Sequence, residues 1–398
     1  MGEHELYNIL MYSHDTYGLG HIRRTLAIAG YLRSASTNIL ILTGSPVAGR
    51  FRFPDNVDFV RIPGMIKKTN DEYQALAIRI DPEHAVTIRK AIISATAATF
   101  RPDLFIVDKE PLGLKREVLP VLQWFRRHSP QTRTILGLRD IMDDRATVRR
   151  DWRRRNVYHY LEELYSEIWV YGRQEIYDPA VEYDIPAAVR DKMFFTGYLQ
   201  RPVASAKRSL KTRQKFAVRD QDRLIVLTAG GGGDGFKMMD TYLAMHESRP
   251  VPGIKSILIT GPFMPREQRG LLAQRARPYR ITVLPFYPRM EEMFGAADLV
   301  ITMGGYNTVC EILSQQTPAL IIPRETPRLE QLLRAEALKK QRLIEFIPWS
   351  ALNPERLHHQ LLAMLDDLQP YRQAIAGFPL DGIDFIKNRL RHFKGSRP

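Results

Sequence analysis

A chain of 398 residues is longer than the roughly 250–300 residues at which one hydrophobic core stops growing, so two domains are expected. With 44% hydrophobic and 26% charged residues the composition is globular, which excludes a disordered or fibrous chain, and no apolar run approaches the roughly 18–20 residues that span a bilayer. The net charge of +14 points to an anionic partner, whether nucleic acid, an anionic membrane surface or a phosphorylated substrate.

Residues 7–12 form an apolar strand pattern, followed by a turn bearing Gly18 and Gly20 and by a helical pattern with Ile22, Leu26, Ala29 and Leu32 on one face. Strand-like runs recur at 39–43, 57–62, 104–107, 134–138, 168–171 and 193–196, with helix-length segments between several of them. Strands alternating with helices predict a parallel sheet covered on both faces. Residues 1–198 are thus expected to form an amino-terminal domain, and the basic, polar stretch 199–222, with Pro202, reads as a linker. A second series opens at 224–228, runs into Gly230, Gly231, Gly232 and Gly233, and continues with strands at 257–260, 281–284, 299–301, 319–322 and 343–347. Residues 223–398 are expected to form a second α/β domain, closed by a helical tail from about Pro354.

In open parallel sheets, ligands bind beyond the carboxyl ends of the strands, and three glycine-bearing turns stand there, at 18–20, 230–233 and 304–305. Glycine lets backbone N–H groups approach a phosphate, and the helix that follows offers unsatisfied donors at its positive end. One such turn is an ordinary tight turn; three in two tandem α/β domains point to a nucleotide or another phosphate ligand. None is a Walker A loop, and Gly18-Leu19-Gly20-His21-Ile22-Arg23 lacks the last glycine of a dinucleotide fingerprint.

His21 stands instead at a helix start, where the dipole disfavours the imidazolium and leaves a neutral ring suited to general-base work; the bland alternative is a helix-start residue without chemistry. Further along, a strand runs into Gly304-Gly305, a helix begins at Asn307 or Thr308, and Glu311 follows one turn in. Glu311 is suited to accept hydrogen bonds from a ribose diol, unless Thr308-x-x-Glu311 is only a capping box. The loop Asp108-Lys109-Glu110 and the pair Arg139-Asp140 follow first-domain strands and are expected to face an acceptor, with Asp140 or His21 as the base. Asp143-Asp144 reads as a solvated turn rather than a metal pair.

Two basic stretches stand out. One runs from Arg126 to Arg155 with Trp124, Phe125 and Trp152 interleaved, and is read as either solvated helix faces or a membrane-surface contact; the other runs from Arg201 to Arg219 without an acidic residue. The amino terminus lacks the basic and apolar regions of a signal peptide, and the single Cys310 suits a reducing compartment, so a cytoplasmic location is expected.

The whole chain resembles GT-B glycosyltransferases of the family-28 kind, whose best-known member adds N-acetylglucosamine to a lipid-linked peptidoglycan precursor. The resemblance rests on the glycine turn before His21, the turn 230–233, the strand 298–301, the segment 304–311, the Pro-bounded strand 318–323 and the pair Glu330-Gln331. It implies two Rossmann-like domains with parallel sheets facing across a cleft. It also implies that Gly304, Gly305, Asn307 and Thr308 hold a diphosphate with Gly230, Gly231 and Gly232, that Glu311 binds the ribose, and that Glu330 and Gln331 bind sugar hydroxyls. Gly18, Gly20 and Arg139 fall on the phosphate or acceptor side.

The donor is expected to be UDP-linked and the acceptor a glycolipid, polysaccharide or small molecule, with no cofactor and no obligatory metal. Arg324-Glu325-Thr326-Pro327 departs from the usual His-containing loop, which leaves the sugar open. The opening 13–21 also resembles a bacterial group of predicted glycosyltransferases and the UDP-sugar hydrolase of pseudaminic-acid synthesis. A UDP-N-acetylglucosamine epimerase is a weaker alternative, and a basic nucleic-acid-binding protein has only the charge in its favour.

Overall fold

In the computed structural model, which describes residues 6–14, 20–51, 53–67 and 73–396, the apolar runs become two all-parallel sheets, one in each of the two units into which the chain divides. The first unit contains β1 (Tyr7–Ser13), β2 (Thr37–Thr43), β3 (Val57–Arg61), β4 (Met65–Lys67), β5 (Tyr73–Ala75), β6 (Leu104–Asp108), β7 (Arg133–Arg139), β8 (Glu167–Tyr171) and β9 (Met193–Phe195). Seven of these pair in the order β3-β2-β1-β6-β7-β8-β9, while β4 and β5 form a small antiparallel hairpin. All five residues of β6 and of β8 are buried, as strands covered on both faces require.

The second unit contains β10 (Arg223–Thr228), β11 (Ile254–Ile259), β12 (Ile281–Leu284), β13 (Leu299–Thr302), β14 (Ala319–Ile321) and β15 (Glu345–Phe346). They pair in the order β12-β11-β10-β13-β14-β15, and helices complete a core that includes Met238, Tyr242, Leu258, Ile301, Leu320 and Leu361. In both sheets the strand order reverses beside the first strand, at β1/β6 and at β10/β13. This switch point opens a crevice at the carboxyl ends of the strands.

Three boundary expectations are corrected. The stretch 199–222 is no linker: it contains the helix Ala206–Lys215, which belongs to the second unit, where Arg213 donates to Asp298 at 3.0 Å and to the carbonyls of Ala296 and Asp222. Residues 141–144, placed by sequence in the first domain, group with the second unit. Conversely, the chain from 381 onward groups with the first unit and not with 223–380. Its helix Gly382–Gly395 buries Ile383, Ile386, Leu390 and Phe393, stacks Phe393 on Trp169 at 6.4 Å between ring centroids, and pairs Arg389 with Glu167.

Candidate functional site

At the switch point of the first unit, β1 leads toward the helix Gly20–Leu32 and β6 ends on Asp108. Parallel pairing of β1 with β6 brings the two ends together although 87 positions separate the residues they carry. His21 Nδ1 lies 2.5 Å from Asp108 Oδ2, and Arg24 forks onto the same carboxylate at 2.8 Å from each oxygen. Lys109, at φ +65°, turns the chain sharply after Asp108.

Burial raises the cost of charge on Asp108, but Arg24 and His21 outweigh it and pull the carboxyl down to about 2. Burial is also what lowers His21 to about 4, against the opposing attraction of Asp108. The neutral ring expected from the helix start is therefore present, with desolvation as its main cause rather than the helix dipole. An ionised carboxylate only accepts, so His21 Nδ1–H donates to Asp108 and Nε2 is left as the basic atom.

Beneath this pair lies a buried network that the sequence does not announce. Tyr12 donates to Glu117 at 2.6 Å, Arg89 forks onto Glu117 at 2.5 Å, and His14 Nδ1 lies 3.3 Å from the Tyr12 hydroxyl. The His14 ring meets His21 edge-on at 5.5 Å. Asp140, at the end of β7 beside Arg139, is 1% exposed and accepts from the Tyr198 hydroxyl at 3.1 Å. Glu110, expected to face an acceptor, instead pairs with Arg155 at 2.6 Å. Gly20 is the first residue of its helix, and Gly18 lies outside the described residues.

In the second unit, the turn after β10 carries Gly230, Gly231 and Gly232, and the turn after β13 carries Gly304 and Gly305. Gly232 sits at φ +91°, where a Cβ would stand 2.0 Å from the Thr260 carbonyl oxygen; Gly304 sits at φ +73°, where a Cβ would stand 2.6 Å from Ile321 Cγ2. Both turns need glycine for conformation and for space.

The helix Tyr306–Gln315 starts at Gly305, with no side-chain cap and no acidic residue in its first turn. Thr308 is thus the third helical residue rather than the cap, and the capping-box alternative for Glu311 fails. Glu311 is instead a buried carboxylate in the second turn, 8% exposed. Asn307 accepts from Arg201 Nη2 at 2.6 Å, and Arg201, 5% exposed, keeps an Nε with no hydrogen-bond partner among the described residues. Nothing in the sequence beyond its place in a basic stretch marks Arg201.

Glu330 and Gln331 open the helix Glu330–Lys340 and are buried rather than on an exposed face. Gln331 accepts from the Arg324 backbone at 3.1 Å, and the Arg324 guanidinium reaches Asp234 of the glycine-rich turn at 2.8 Å. Arg334, fully buried, donates to the Gly304 carbonyl at 3.1 Å. The two glycine turns and the 324–331 segment are therefore tied into one constellation at the switch point. Asp143 accepts from the Leu329 backbone at 2.8 Å, and no metal-holding cluster of His, Cys, Asp or Glu occurs among the described residues.

Residues 230–380 match the glycosyltransferase family 28 C-terminal domain. A UDP-N-acetylglucosamine–N-acetylmuramyl-(pentapeptide) pyrophosphoryl-undecaprenol N-acetylglucosamine transferase from Clostridioides difficile is 29% identical over 184 residues, covering 46% of this chain and 44% of the relative. The enzyme of the same name from Alkaliphilus metalliredigens is 26% identical over 186 residues, 46% of this chain and 50% of the relative. The chain thus matches about half the length of these curated relatives.

Among solved structures, a glycotransferase of kitacinnamycin superposes with a TM-score of 0.65 at 14% identity, covering 98% of this chain and 99% of that one. MurG of Acinetobacter baumannii gives 0.61 at 15%, covering 97% and 99%. A UDP-GlcNAc 2-epimerase from Neisseria meningitidis, bound to UDP-GlcNAc, gives 0.62 at 12%, covering 97% and 99%. At such identities the likeness establishes the fold, while the family match covers residues 230–380 of the second unit. The protein has the GT-B fold of two Rossmann-like units, and its residues 230–380 are similar to the glycosyltransferase family 28 C-terminal domain.

Proposed function

We propose that the protein transfers a sugar from a nucleotide-diphosphate donor, UDP-linked, to the hydroxyl of an acceptor of glycolipid type, and that it works at the periphery of a membrane. The observation that carries this reading is the helix terminus at Gly305, uncapped by any side chain, with the buried Arg201 beside it, inside the matched family domain. Such a terminus attracts phosphate, and a guanidinium adds fixed positive charge. In this reading Gly230, Gly231, Gly232, Gly304, Gly305, Asn307 and Thr308 hold the diphosphate, Glu311 the ribose, and Glu330 and Gln331 the sugar.

In the reaction, the acceptor oxygen bonds to the anomeric carbon as that carbon's bond to the diphosphate breaks. The hydroxyl proton passes to His21 Nε2, and the electron pair leaves with the diphosphate, whose charge the helix terminus and Arg201 stabilise. No metal enters this scheme. A nucleotide-sugar hydrolase differs only in that water supplies the hydroxyl, and the same imidazole would serve it.

The test is a titration with UDP followed by donor turnover with EDTA present. UDP should raise the melting temperature, and Glu311→Ala should weaken UDP binding by about 1.5–3 kcal/mol. Absence of any UDP-induced shift would refute donor binding. Rapid release of free sugar without acceptor would replace transferase by hydrolase.

A further inference from the structure

The two basic stretches differ in whether carboxylates answer their charge. In the first, Arg126 pairs with Glu163, Arg149 and Arg153 stand 2.8 and 3.2 Å from Asp184, Arg154 and Arg155 stand 3.1 and 3.0 Å from Asp151, and Arg155 also reaches Glu110. Trp152 is 3% exposed and packs against Tyr158 and Tyr183, while Trp124 stacks on His128. Five of the arginines are thus paired and Trp152 is buried, while Arg127, Arg145 and Arg150 stay exposed without an ion pair among the described residues.

The second stretch behaves otherwise. The helix Ala206–Lys215 turns Ser209, Thr212 and Arg213 toward the second unit, and Arg213 is engaged with Asp298. Its opposite face carries Lys207, Leu210, Lys211 and Gln214, all exposed. No ion pair involves Lys207 or Lys211 among the described residues. Arg208 and Arg289, with side chains 62% and 61% exposed, share the one carboxylate of Glu292 at 3.6 and 3.3 Å, which leaves a positive excess. Lys215 lies over the rings of Phe216 and Tyr287.

Apolar surface accompanies this charge. Val203, Leu210 and Phe286 are 59%, 56% and 54% exposed, three of the eight large apolar side chains most open to solvent among the described residues. Val203 precedes the helix, Leu210 sits at its middle, and Phe286 adjoins the Tyr287 that Lys215 covers.

We propose that this face of the second unit, centred on Lys207, Leu210 and Lys211, binds an anionic lipid surface. Lysines that flank an exposed leucine suit an interface in which ammonium groups meet phosphate headgroups and the apolar side chain enters the acyl boundary. A single-stranded nucleic acid would call for a row of exposed stacking aromatics, and the one ring on this face more than half exposed is Phe286. The proposal rests on the peripheral-membrane reading and is independent of the donor chemistry.

The experiment is co-sedimentation of the full chain with vesicles of phosphatidylcholine alone and of phosphatidylcholine with phosphatidylglycerol, at low and high salt. Binding should require the anionic lipid and fall as salt screens it. The double variant Lys207→Glu/Lys211→Glu should lose at least tenfold in binding, and Leu210→Ser about threefold, with the thermal melt of both variants unchanged because all three residues are exposed. Equal binding to neutral vesicles overturns the proposal. So does unchanged binding of the double variant, which leaves membrane attachment standing but moves it to another surface. Failure of the unmodified chain to bind either vesicle overturns both readings, and displacement from anionic vesicles by equimolar RNA phosphate assigns the face to nucleic acid.

Discussion

His21 shares the Asp108 carboxylate with Arg24, and burial lowers its pKa from 6.5 to about 4. The folded ring is neutral where the unfolded one takes up a proton, so it contributes stability that is present above pH 6.5 and lost as pH falls through about 4. Asp108, pulled from 3.8 to about 2, contributes stability that is present above 3.8 and lost toward pH 2. For catalysis, the acid limb of kcat/KM should lie near pH 4 rather than near an ordinary histidine's value, with activity level between roughly pH 5 and 8. His21→Ala should lower turnover by roughly 10²–10⁴-fold with donor affinity kept, and Asp108→Asn should lower it by releasing the tautomer. A pH–rate profile that breaks at 6.5, or full turnover in His21→Ala, would remove His21 from the base role.

At the scale of single elements, the turn after β13 shows how tightly the proposed donor constellation is drawn. Gly304→Ala places a methyl 2.6 Å from Ile321 Cγ2 in a left-handed conformation, which should cost about 2–3 kcal/mol, read as a lower melting temperature, and should weaken UDP binding because the next residue caps the phosphate-facing helix. Gly305→Ala, at φ −61° with no protein atom near its added methyl, should leave the melt unchanged. An unaltered melt in Gly304→Ala would contradict the described turn.

These turns were legible because parallel strands buried on both faces appear as apolar runs that stop where glycines begin, as at 299–305. Less legible was the helix Ala206–Lys215, whose inward residues Ser209, Thr212 and Arg213 are polar and hide its periodicity. The β4–β5 hairpin, with three residues to a strand, carries too little pattern to be seen. The partners of His21 and Glu117 were beyond reach for another reason: hydrogen bonds across 87 and 105 positions follow from strand order, which local spacing does not encode.

At the scale of the molecule, the first unit closes with a helix supplied by the far end of the chain. Ile383, Ile386, Leu390 and Phe393 together account for about 6–10 kcal/mol of burial, comparable with the net stability of a whole domain. A chain ending at 380 should therefore lose the first unit to limited proteolysis, while 199–380 resists and still responds to UDP. Survival of both units in the truncated chain would show that the helix is dispensable.

That helix also orders events during synthesis. The ribosome must deliver residues 199–380, roughly 10–40 s of elongation, before the first unit can cover Trp169 and Glu167. Through that interval the earlier half waits with an apolar face open and the Glu167 carboxylate held by the Trp169 indole alone, exposed to chaperones and to other nascent chains. A ribosome-bound chain of residues 1–380 followed by an unstructured linker long enough to clear the exit tunnel should hold a finished second unit and an unfinished first one, the reverse of the order in which they were made.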